Sequence, residues 1–213
     1  MTVTASLILF AAAVLVGTFP TAFVLVRRAT GQDLRREGSG NIGTLNAYEV
    51  TRSRTVGIVV LMIDLIKGAI PVVFAARLFP EDVVAGGLAA FGVVLGHNYS
   101  PWIGFKGGRG LAAAAGAMLV FNPLVLIYWV FFWLVAFARR RNVHFGNIIA
   151  SVLAPVLFAF TPKLALMMAR FPIEQGWHQP LVASAVCLLI LARHAGPLRQ
   201  LIAQRSSSSS STP

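Results

Sequence analysis

Long apolar runs separated by short clusters of arginine constrain this chain more than any other feature. Residues 3–26, 56–79, 83–95, 111–138, 146–168 and 180–192 are predominantly apolar. A bilayer core takes about 20 apolar residues per crossing helix. Only 12% of the residues are charged and the mean hydropathy is +0.76, whereas a soluble chain carries about a quarter charged residues. The class is therefore an all-α, polytopic integral membrane protein. The net charge is +11, from 18 Lys+Arg against 7 Asp+Glu. In a soluble protein such an excess would suggest nucleic acid. Here the cations fall between the apolar runs, where topology and anionic headgroups account for them and no nucleic acid is implied.

The positive-inside rule turns these clusters into a topology. Arg27, Arg28, Arg35, Arg36, Arg52 and Arg54 place the polar stretch 27–55 in the cytoplasm, so the N-terminus lies outside. The first run lacks a basic n-region and is too long for a signal peptide, so it reads as an uncleaved first span. Residues 56–79 cross outward, Pro80, Glu81 and Asp82 turn outside, and 83–95 return. The run 111–138 poses a parity problem. As one helix it would put Arg139, Arg140 and Arg141 outside. Asn122 and Pro123 interrupt it, and proline removes a helical hydrogen bond. The expectation is two short helices, 111–121 outward and 124–138 inward. A sixth span follows at 146–168, with Pro155 and Pro162 as kink sites, then an outer connection from Arg170 to Gln179 and a seventh span at 180–192. Lys163 and Arg170 fall near the outer face. This gives seven transmembrane helices, N-terminus outside and C-terminus cytoplasmic. Residues 1–205 form one membrane domain, and the serine-rich tail 206–213 is expected to be disordered. Cys187 is the only cysteine, so neither an intrachain disulfide nor a cysteine metal cluster can form, and no His/Asp/Glu group has metal spacing.

Polar groups gather on the cytoplasmic side. Gly96 to Gly110, with the sequence GHNYSPWIGFKGGRG, carries Lys106 and Arg109 among four glycines, Gly104, Gly107, Gly108 and Gly110. Glycines let backbone N–H groups approach a ligand, and such groups with a lysine and an arginine suit a phosphate-like anion. No Gly-Lys-Ser/Thr follows, so this is not a Walker loop. Gly38-Ser39-Gly40-Asn41-Ile42-Gly43 matches the letters of a dinucleotide-binding fingerprint, but no strand precedes it and Asp64 lies inside an apolar span. A second tight loop remains, with Ser39, Asn41 and Asn46 as donors. Asp64 and Lys67 lie three apart on one helix and read first as a structural ion pair, with substrate contact as the alternative. His97 fits either a base or a group that shapes the loop. No Ser-His-Asp arrangement can be argued.

These residues, in this order, resemble a known family. Gly38 to Gly43 with Asn46, then Asp64-x-x-Lys67-Gly68, then Gly96-His97 and Pro101 leading to Phe105-Lys106-Gly107-Gly108-Arg109-Gly110, and finally Arg193-His194, look like the bacterial membrane acyl-phosphate:glycerol-3-phosphate acyltransferases, the PlsY family. The resemblance implies seven membrane helices in the bacterial inner membrane, with the motifs facing the cytoplasm. It implies acyl transfer from an acyl phosphate to the 1-hydroxyl of glycerol 3-phosphate, giving lysophosphatidic acid and phosphate, with no cofactor and no metal. Lys106, Ser39 and His194 fall on catalytic positions. Asn41, Asn46, Gly107, Gly108, Arg109, His97 and His144 fall on phosphate-binding or loop-shaping ones. The chain departs from the family pattern at Glu49, Ala113, His144, Pro197 and Gln200, and Arg109 stands where a lysine is usual. These departures leave a changed acceptor or a non-catalytic lipid-binding protein as alternatives. A small transporter is less supported, because paired broken segments are missing.

Overall fold

The computed structural model describes residues 1–161, 171 and 177–198. Among them it is helical throughout, with nine α-helices and one short 3-10 turn at Pro101–Ile103. Pro162, Lys163, Arg170, Gln200 and the tail 206–213, about which the sequence raised expectations, lie outside the described residues.

The run 3–26, expected as one helix, is two: α1 Val3–Gly17 and α2 Thr21–Thr30. Pro20 has no N–H to continue the ladder, so the chain breaks at Thr18 and Phe19. Carbonyls freed there are captured from other elements. Ser100 Oγ donates to Thr18 O at 2.5 Å, and Lys67 Nζ donates to Phe19 O at 2.8 Å. The polar stretch 27–55, read as loop, contains α3 Thr44–Thr51. This helix has eight residues and a glycine N-cap, so neither its length nor its cap announces it in sequence.

Helix α4, Arg54–Leu78, starts two residues earlier than the apolar run because Ser53 Oγ accepts from Val56 N at 3.3 Å. Asp82 caps α5, Val83–Asn98, accepting from Val84 N and Ala85 N. The break at Asn122 and Pro123 is present. Helix α6 is Leu111–Phe121 and α7 is Pro123–Arg140, and Asn122 Oδ1 accepts from Leu124 N at 3.0 Å. Asn142 caps α8, Val143–Ala159, and α9 is His178–Arg193.

Helix pairing relies on small residues. Apolar area is no driving force between helices in lipid, so close backbone packing takes its place. A Cβ at Gly17 would strike the Val93 carbonyl, and one at Gly96 the Val14 carbonyl, so α1 lies tight on α5. Gly68 and Gly116 do the same between α4 and α6, against the Ala113 and Leu65 carbonyls. Helix α7 instead packs on α8 and turns Ile127, Val130, Phe131, Leu134 and Val135 outward. Among the described residues four segments, Val3–Thr30, Arg54–Leu78, Val83–Ile103 and Pro123–Arg140, are long and apolar enough to cross a membrane, while α6, α8 and α9 are shorter apolar helices.

Candidate active site

A cavity of about 190 Å³, with polar and charged groups set in a largely apolar wall, opens where the ends of α3, α5, α6 and α8 meet. Its wall includes Asn41, Gly43, Thr44, Asp64, His97, Arg109, Gly110, His144 and Asn147. The first turns of α3 and α6 both face it, and both start at a glycine with no side-chain cap. The opening N–H groups of a helix lack intrahelical partners and carry its positive pole, which makes each such end an anion site. Two of them bracket this cavity.

The first loop is shaped from within by Asn46, which is 1% exposed. Its Oδ1 accepts from Ser39 N at 2.9 Å, and its Nδ2 points at the carbonyls of Glu37 and Asn41, at 3.1 and 3.0 Å. The Asn46 amide is thus already occupied by groups of its own loop. Asn41 is left on the cavity wall. The Ser39 side chain is exposed beside the cavity and is not on its wall.

The second loop is held from outside. Arg193 Nε donates to Gly108 O at 3.1 Å and Nη2 to Gly107 O at 2.8 Å. Gly108 N donates to His97 O at 3.1 Å, and the His97 ring occupies the space a Cβ on Gly108 would need. Gly107 and Gly108 are thus buried beneath the cavity, while Gly110, at φ 80°, turns the chain into α6. The two cations of this loop are placed differently. Arg109 is on the cavity wall, whereas Lys106 is exposed and off it. Burial and then the nearby Arg193 lower the Arg109 pKa from its ordinary value, yet a guanidinium keeps its proton in proteins. Arg109 Nη1 lies 3.3 Å from His144 Nδ1. Arginine only donates, so Nδ1 accepts and the His144 proton sits on Nε2.

His194, expected to be catalytic, is 1% exposed with both ring nitrogens engaged. Nδ1 contacts Ile190 O at 2.8 Å and Nε2 contacts Asn147 Nδ2 at 3.2 Å. Its ring thus joins α8 to the end of α9. Lys67 and Asp64 form the expected ion pair at 2.8 Å, with Asp64 reaching the cavity wall and Lys67 turned to Phe19. His97 Nδ1 stands 3.8 Å from the same carboxylate, too far for a hydrogen bond. Glu49, which reverses a charge relative to the resembled family, is exposed and off the wall, so it brings no carboxylate to the cavity.

Two participants escaped the list of site residues: Arg193, which ties down the second loop, and Asn147. A signal for each existed. Arg193 precedes His194 in a motif, and Asn147 is a lone amide in an apolar run. Among the described residues no serine, cysteine or lysine lines the cavity. The cavity can bind and neutralise an anion, but it offers no thiol, serine or amine nucleophile. At Thr44, Leu45 and Leu61 its wall continues into a mostly apolar groove of about 360 Å³ between α3 and α4, lined also by Tyr48, Gly57 and Ile58, with Arg54 as its one charged residue among those described.

The chain resembles known proteins over most of its length. A family model described as glycerol-3-phosphate acyltransferase matches residues 7–204. A glycerol-3-phosphate acyltransferase of Geobacter sulfurreducens is 37% identical over 197 residues, covering 92% of this chain and 93% of the relative. One from Myxococcus xanthus is 40% identical over 152 residues, 70% of this chain and 77% of its own. The crystal structure of PlsY, an integral membrane glycerol 3-phosphate acyltransferase, in its glycerol 3-phosphate form superposes with a TM-score of 0.77 at 30% identity, covering 94% of both chains. Its lysophosphatidic acid form gives a TM-score of 0.75 at 29% identity.

Proposed function

The chain belongs to the glycerol-3-phosphate acyltransferase family, and from that membership we propose how its cavity performs the reaction. The protein is a membrane-embedded acyltransferase of phospholipid biosynthesis that acylates glycerol 3-phosphate. The observation that carries the site assignment is the cavity bracketed by two uncapped helix N-termini, with Arg109 and His144 on its wall.

The donor is an acyl phosphate. Its leaving group is already activated, so no enzyme nucleophile is needed, which agrees with the residues lining the cavity. Arg109, Asn41 and the first turns of α3 and α6 hold phosphate, and His144 donates from Nε2. Lys106 and the Ser39 hydroxyl, exposed beside the cavity, neutralise and orient the donor phosphate at the mouth. The acyl chain lies in the groove between α3 and α4, whose wall is continuous with the cavity. The 1-hydroxyl oxygen of glycerol 3-phosphate attacks the acyl carbonyl carbon, the bond from that carbon to the phosphate oxygen breaks, and the hydroxyl proton leaves with the phosphate. The products are lysophosphatidic acid and inorganic phosphate. Positioning and charge neutralisation supply the acceleration.

Seven spans complete the reading: α1 with α2, then α4, α5, α6, α7, α8 and α9. Residues 1–205 form one domain. The N-terminus lies outside, and the arginine-rich ends put the site at the cytoplasmic face of the bacterial inner membrane. The test is phosphate release from a synthetic acyl phosphate by purified protein, with and without glycerol 3-phosphate. Release that requires the acceptor and yields lysophosphatidic acid is the expected result. Release indifferent to the acceptor would assign another nucleophile, and no release from folded protein would remove the activity.

A further inference from the structure

Asn147 is a buried amide on an apolar helix, 3% exposed, and it borders the phosphate cavity. Its contacts form a chain whose proton positions are forced from one end. Trp133 Nε1 lies 2.8 Å from Asn147 Oδ1. An indole N–H can only donate, so the oxygen of the amide faces α7 and the NH₂ faces α9. That NH₂ lies 3.2 Å from His194 Nε2. Two N–H groups cannot share that contact, so Nε2 accepts and is unprotonated. The His194 proton then sits on Nδ1, which donates to Ile190 O at 2.8 Å.

We propose that Asn147 is a positioning residue that, oriented by the Trp133 indole, fixes His194 as the neutral Nδ1–H tautomer and so sets the end of α9 that grips the second glycine loop. The next link is covalent, since Arg193 adjoins His194 and holds the carbonyls of Gly107 and Gly108. Arg109 follows directly on that loop. An amide on α8 thereby reaches the cation of the cavity through α9 without touching it.

Neutrality of His194 is part of the device. Protonation would set an Nε2–H against the Asn147 NH₂. It would also add a positive charge beside the cations Arg109 from the loop and Arg193 from α9, with the titratable His144 of α8 close by. The His144 and His194 ring centroids are 6.1 Å apart. Burial, the largest cause, moves the His194 pKa down to about 4, with the Ile190 carbonyl acting in the opposite direction. His194 therefore holds its shape across the pH range in which a free histidine would switch.

The direct test is nitrogen-15 NMR of histidine-labelled protein in detergent, with the His194 signals assigned by their loss in His194→Gln. The expected spectrum is the neutral Nδ1–H tautomer, unchanged between about pH 5 and 8. An Nε2–H tautomer, or titration near the ordinary value of about 6.5, would overturn the proposal. In Asn147→Asp a carboxylate accepts from both Trp133 Nε1 and His194 Nε2–H. An ionisation absent from the wild-type turnover profile should then enter that window. A folded Asn147→Asp with the wild-type profile would contradict the proposal. Trp133→Phe removes the donor that orients the amide, and it should give a mixture of tautomers; a single Nδ1–H form would show that the indole orients nothing. Asn147→Leu should lower kcat about 100-fold, the scale of a displaced catalytic group. The turnover readouts rest on the acyltransferase reading, whereas the NMR does not, so the two can fail separately.

Discussion

The loop at residues 38–43 takes its hydrogen bonds from one side chain nearby, whereas the loop at 104–110 is held both by the adjacent α5 and by α9, far away in the chain. Asn46 organises the first by reaching carbonyls that lie within twelve residues of itself. Arg193 organises the second across 85 and 86 residues. The two segments look alike in sequence, as glycines with a few polar residues. They differ in what they require of the rest of the fold. The first takes its hydrogen bonds locally and leads into α3, while Ile42 packs with Val26, Val60 and Ile103 beneath it. The second needs α5 and the end of α9 both in place, so the cation it presents depends on the whole helical assembly.

Substitutions can break that contrast. Arg109→Ala should have the largest effect, lowering lysophosphatidic acid formation about 100- to 1000-fold, the range for a lost charge-stabilising donor; activity within tenfold of wild type would remove Arg109 from the site. Arg193→Ala should follow, at about 100-fold on turnover, by displacing the second loop. Arg193→Lys should recover little, because an ammonium cannot reproduce the two-pronged contact with both carbonyls. If Arg193→Ala retained full turnover, the loop would not depend on α9. Lys106→Ala should cost about tenfold, since an exposed charge is screened by salt, and the loss should shrink as ionic strength rises.

Asn46→Ala acts on stability first. It leaves buried carbonyls unpaired, at about 1–3 kcal/mol, read as a lower melting temperature in detergent. In the same assay Arg193→Ala should lower the melting temperature less while reducing turnover more. The reverse order would contradict the contrast between the loops. A further effect concerns pH. Because the His194 pKa is lower when folded than its ordinary 6.5, the unfolded chain binds the extra proton. Stability from this group is full above about pH 6.5 and is lost as pH falls toward about 4. A melting temperature that rose over that interval would argue against a buried neutral His194.

Much of the architecture was legible because hydropathy and arginine placement report directly on helices in a bilayer. The break at Asn122 and Pro123 could be read from a single proline and from charge parity. Helix α3 could not, since it is short, glycine-capped and held by the loop that Asn46 organises. The break at Pro20 was visible as a residue, but not as two helices, because its freed carbonyls are satisfied by Lys67 and Ser100 from elsewhere in the chain. At the site, the chemistry of an anion cavity was legible from glycines, Lys106 and Arg109. Which cation faces inward was not, since that depends on how Arg193 and His97 hold the loop. Nor could it be read whether Asn46 and His194 reach a ligand or support the fold; both are engaged with groups of the fold. A polar side chain in a motif can serve either purpose, and only its partners distinguish them.

The most direct test of the account is calorimetric titration of glycerol 3-phosphate into wild-type protein and into Arg109→Ala, each confirmed folded by its melting curve. Arg109 on the cavity wall predicts saturable binding to the wild type and none measurable to Arg109→Ala. Equal affinity in both would place the phosphate elsewhere and contradict the assignment of this cavity.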